Sequence, residues 1–201
     1  MKNLSQALSI LFHPLWMPLL GTFLLLNYTE YFALYSKDAH RVIYVIVATS
    51  TLGLPLMMLP IYLYRKKIKS LELNERSERI IPLLIMTIFY YFSFHTLSNL
   101  NAPVLLREFI LGVFFSTLVA TIVTVKTKIS LHSIGLGGVT ALLVFIPLYE
   151  SGNTEILLMQ AILISGFVFS ARMFLQKHTL SEMLFGYFLG FLTMMLTMVL
   201  F

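Results

Sequence analysis

Seven apolar stretches of about 20 residues, separated by short polar loops, decide what this chain of 201 residues can become. They run from Leu8 to Tyr28, Val42 to Tyr64, Ile80 to Ser98, Leu105 to Val125, Leu131 to Tyr149, Ile156 to Phe174 and Thr179 to Phe201. A hydrocarbon core is about 30 Å thick and a helix rises about 1.5 Å per residue, so each stretch can cross a bilayer. Backbone groups in hydrocarbon must be satisfied within their own segment, which selects helices. Composition agrees: 58% of residues are hydrophobic and 11% charged, against about 25% charged in soluble domains. The expected fold is an all-α integral membrane protein. It is a bundle of about seven transmembrane helices (six to seven) in one domain, residues 1–201. The fourth stretch is the least regular: Arg107 and Glu108 near its start are expected at headgroup level, or the helix begins a turn later. Lys2 gives only a thin basic start and no small-residue cleavage site follows, so the first stretch reads as a retained helix. The absence of cysteine excludes disulfides and thiolate metal sites.

The net charge of +5 does not point to nucleic acid, because the basic residues sit in short loops between spans. Alternating those loops across the bilayer puts Lys2, Arg65, Lys66, Lys67, Lys69, Arg76, Arg79, Lys126, Lys128, Arg172 and Lys177 on one face. Lys37, Arg41 and Arg107 fall on the other. By the positive-inside rule the richer face is cytoplasmic, as expected for a bacterial inner-membrane protein. Anionic lipid headgroups are natural neighbours of such a face.

Ionisable residues at or inside spans are functional candidates, and three clusters share the basic face. His178 and Glu182 are spaced i,i+4 at the start of the last span. A carboxylate there can hold one imidazole nitrogen and leave the other as nucleophile or base. The same pair also fits a loop-end histidine beside a glutamate favoured by the helix dipole. Gly186 and Gly190 continue the stripe and admit a close helix neighbour. Ser130 and His132 open the fifth span, Ser130 as an N-cap and His132 in a first turn that favours anions. Gly135, Gly137 and Gly138 follow and suit helix packing. In the loop from Arg65 to Arg79, Lys69, Arg76 or Arg79 can grip phosphate oxygens, although such loops are commonly just solvated. Even numbers of crossings bring all three clusters to one face. His13, beside Pro14 near the basic face, is expected to be structural, with a place bordering the site as the alternative, and His40 and His95 fall toward the opposite face.

The spacing resembles the type 2 phosphatidic-acid phosphatase superfamily, the lipid phosphate phosphatases related to vanadium haloperoxidases. Its motifs are Lys-x6-Arg-Pro, Pro-Ser-Gly-His and Ser-Arg-x5-His-x3-Asp. Here Lys69 and Arg76 keep the first spacing, with Ser77 in place of proline. Ser130 and His132 keep the second without its proline and glycine. Arg172, His178 and Glu182 keep the third, with Ala171 for serine and glutamate for aspartate. The resemblance covers roughly Lys69 to Gly190. It implies that His178 is the nucleophile, that Glu182 orients it, and that His132 is the general acid. Lys69, Arg76, Arg172 and Ser130 would hold the phosphoryl oxygens. It implies no cofactor and no metal. The partners expected are a membrane lipid phosphate or prenyl diphosphate and the bilayer itself. A catalytically inactive membrane scaffold of the same family and a small-molecule transporter are the alternatives. The transporter's only hint is Pro55 and Pro60 in the second span.

Overall fold

A computed structural model of the chain describes residues 2–64, 76–149 and 154–201. The protein is an all-α bundle, and its described residues form seven helical spans long and apolar enough to cross a membrane. The first span, Lys2–Tyr28, begins six residues earlier than hydropathy alone indicates, because the polar residues ahead of Leu8 are already helical. It is also broken. Helix α1 (Lys2–Leu11) stops before Pro14, a 3-10 turn covers Pro14–Trp16, and α2 (Met17–Tyr28) resumes. Proline disfavours the helical conformation in the residue before it, and His13 accordingly sits extended at φ −66°, ψ 139°. A short α3 (Glu30–Ala33) crosses the loop to the second span.

That second span is α4 (Lys37–Ala48), a π turn at Thr49–Gly53, and α5 (Leu54–Tyr64). Pro55 has no N–H to give the carbonyl four residues back, and the widened turn lies immediately before it. Ser50 and Thr51 fold their hydroxyls onto the Ile46 and Val47 carbonyls, at 2.7 and 2.8 Å. The remaining spans are single helices: α6 (Arg76–Asn99), α7 (Val104–Lys126), α8 (Leu131–Tyr149), α9 (Glu155–Phe174) and α10 (Leu180–Leu200). Arg107 and Glu108 lie in the first turns of α7, so that helix does not start late.

Helix α8 is the axis of the bundle. It packs most extensively on α10, while α6 packs on α7 and α1 lies against α9. The α8–α10 contact brings backbone against backbone: a Cβ on Gly137 would collide with the Tyr187 carbonyl, and one on Gly190 with the Ile134 carbonyl. Small residues let helices approach this closely in a membrane. The outer surface is apolar. Met159, Leu163 and Phe167 on α9, and Phe188, Leu192 and Leu196 on α10, are all more than half exposed. Water would not tolerate such stripes; lipid is their solvent.

Candidate active site

The connection between α9 and α10 shows how sequence places chemistry. Helix α9 ends in a Schellman motif: Lys177 N–H donates to the Arg172 carbonyl at 3.1 Å and Gln176 N–H to that of Met173 at 2.9 Å. Gln176 takes the left-handed conformation this requires, φ 53°. The chain then turns directly into Thr179, the N-cap of α10, so Arg172 and His178 flank one tight corner. Thr179 and Glu182 form a capping box, each side chain bonded to the other's backbone N–H at 3.3 Å. Glu182 Oε2 also accepts from His178 Nδ1 at 2.8 Å. One carboxylate therefore closes the helix end and orients the ring. Nδ1 carries the proton and Nε2 is left with its lone pair. Burial above all pulls the His178 pKa down to about 4, helped by Arg79 and Arg172 and opposed by the Glu182 hydrogen bond. The ring is neutral at pH 7.

His132 stands in the first turn of α8, buried. Its Nε2 lies 3.0 Å from the Ser9 carbonyl of α1. A carbonyl only accepts, so Nε2 carries the proton and Nδ1 is the nitrogen left for chemistry. Arg172 Nη1 donates to the hydroxyl of that same Ser9 at 3.3 Å. Arg79, in the first turn of α6, donates from Nη1 to the Ile129 carbonyl at 3.2 Å. Ser130 is completely buried, and its hydroxyl accepts from Ser133 N–H at 3.4 Å, the geometry of an N-cap.

His132, His178, Arg79 and Arg172 line one cavity of about 370 Å³, together with His13 and Tyr62. The rest of its wall is apolar and includes Trp16, Leu52, Pro55, Ile85, Met86 and Leu131. Both span breaks face it, through His13–Trp16 and through Leu52 and Pro55. Broken backbone at membrane depth is tolerated where it lines such a space.

Of the seven residues read from sequence, the structure brings His132, His178 and Arg172 to the cavity wall, with Glu182 behind His178. It does not bring Ser130 there; the serine caps its helix. Lys69 lies outside the described residues, and Arg76 opens α6 with its side chain outside them too. Arg79, one of three cations considered in that loop, is the one found in the cavity wall. Sequence reasoning missed Ser9 and Tyr62, and it reads His13 as structural with bordering the site only as the alternative, whereas the residue stands in the wall. The signals for His13 were its basic-face position and the following proline. His40 and His95 are engaged locally, with the Phe32 carbonyl and Asn99.

The fold and this wall define a polytopic α-helical membrane protein with a largely apolar cavity that carries a cluster of basic side chains. No protein-family model, no curated protein and no solved structure matches the chain.

Proposed function

We propose that the protein is a phosphatase of a membrane lipid phosphate, a phosphomonoester or a prenyl diphosphate, working through a phosphohistidine in a bacterial inner membrane. One observation carries the reading. Two imidazoles and two guanidiniums, from α6, α8, the end of α9 and the loop before α10, reach one cavity whose remaining wall is mostly apolar. A phosphoryl group suits the guanidiniums, which bind its oxygens and offset charge as it builds in the transition state. The lipid's hydrocarbon suits the rest.

In the proposed reaction His178 Nε2 attacks phosphorus. The bond from phosphorus to the ester oxygen breaks, and its electron pair leaves with that oxygen. His132, protonated beside the bound anion, gives the oxygen a proton from Nδ1. Glu182 keeps the Nδ1 proton of His178 in place and stabilises the positive ring. Water then attacks the phosphohistidine, passing a proton to His132 Nδ1, and the N–P electron pair returns to His178. Arg79 and Arg172 hold the phosphoryl oxygens throughout. No metal enters this scheme, in keeping with the family the motifs resemble.

The test is phosphate release from phosphatidate, phosphatidylglycerol phosphate and a prenyl diphosphate in detergent with a chelator present. His178→Ala and His132→Ala are each expected to lower the rate by about 10²-fold or more while the protein stays folded and helical at the assay temperature. Two variants as active as the wild type end the mechanism.

A transporter is the second reading, favoured by the two broken spans that face the cavity. Uptake of a labelled organic phosphate into proteoliposomes, undiminished in His178→Ala, is its signature.

A further inference from the structure

We infer that His13 is a third imidazole of the phosphoryl site, donating from Nε2 to an oxygen of the bound group. The inference rests on the phosphatase reading and extends it to the first span, which the family motifs do not reach.

His13 sits where the first span breaks, and residues on both sides of the break, Ile10 and Trp16, share the cavity wall with it. Its ring meets His132 edge to face, with centroids 5.5 Å apart and planes at 79°. This places it beside the imidazole assigned to proton transfer. The tautomer follows from a local bond: Nδ1 accepts from Leu15 N–H at 3.4 Å, so in the neutral ring the proton is on Nε2. His13 is exposed, and Nε2 has no partner among the described residues.

The wall around it asks for a particular ligand. Arg79 and Arg172 bring N–H donors, and no carboxylate is among the described residues of the wall. Such a surface fits a ligand that only accepts hydrogen bonds, bears negative charge and carries several oxygens. A phosphoryl group has these properties.

Capping alone does not account for a histidine here. Asparagine, aspartate, serine or threonine would serve the Leu15 N–H at least as well. The imidazole adds a second nitrogen on the far side of the ring.

Two substitutions separate the two edges of that ring. In His13→Asn the amide oxygen takes the place of Nδ1 and keeps the cap, while Nε2 is gone. In His13→Gln the amide nitrogen reaches the place of Nε2, while the cap is lost. The full chain in lipid nanodiscs is titrated with orthovanadate, a tetrahedral phosphate analogue that becomes five-coordinate on adding a nucleophile, and followed by unfolding temperature and by phosphate release. His13→Asn is expected to keep the unfolding temperature of the unliganded protein and to bind vanadate about tenfold more weakly. His13→Gln is expected to unfold at a lower temperature and to bind vanadate within about threefold of wild type. Wild-type vanadate affinity in His13→Asn overturns the inference and leaves the phosphatase reading standing. A wild-type protein that neither binds vanadate nor releases phosphate overturns both.

Discussion

At the scale of single residues, the candidate site turns on where protons sit. His178 gives Nδ1–H to Glu182, and burial with two nearby guanidiniums lowers its pKa to about 4. Its lone pair is therefore available from neutral pH down to that value. In a pH profile of kcat/KM, the acid limb assigned to His178 is expected near pH 4, well below an ordinary histidine; a limb at pH 6.5 contradicts the burial. Stability follows the same linkage. The unfolded chain takes up this proton near pH 6.5 and the folded chain only near 4, so stability falls as pH drops through that window. The His178–Glu182 pair was legible in sequence from its four-residue spacing, but the two meet around the helix end and not along a stripe, because His178 precedes the N-cap Thr179. The anchoring of His132 was not. Its partner is a backbone carbonyl 123 residues away, and every residue has a carbonyl. Motif spacing favoured Arg76 over Arg79, and Arg79 stands in the cavity wall while the Arg76 side chain lies outside the described residues.

At the scale of elements, hydropathy located the spans well, since length and apolarity are what a bilayer demands. It located their interruptions poorly. Pro14 and Pro55 sit in equally apolar surroundings, and a missing N–H does not register as polarity. The glycines of α8 and α10 were legible as packing residues, and the structure gives them a measurable role. Gly137→Ala or Gly190→Ala forces a methyl into a facing carbonyl. Each is expected to destabilise by about 1–3 kcal/mol in thermal unfolding and to separate α8, which carries His132, from α10, which His178 precedes. Gly166 on α9 is the control, with nothing within 4 Å of where a Cβ would stand. Gly166→Ala is expected to be neutral or to stabilise by up to about 1 kcal/mol through helix propensity. Equal losses in all three would remove the close α8–α10 contact as the cause.

At the scale of the whole molecule, the site exists only if three loops share a membrane face. The chain has no cysteine, so single cysteines can report each loop without a background. Lys128→Cys and Lys177→Cys are expected to react with an impermeant maleimide from the same side, and Lys37→Cys from the other. Labelling of residues 128 and 177 from opposite sides excludes a shared cavity. The bond from His132 to Ser9 reaches from the heart of the bundle to its first helix, while His178 waits just ahead of the last. A ribosome that stalls midway, or a protease that clips either extremity, thus leaves behind a fragment with scattered imidazoles and no assembled wall. In the phosphatase proposed above, activity would therefore require the first and last spans folded together.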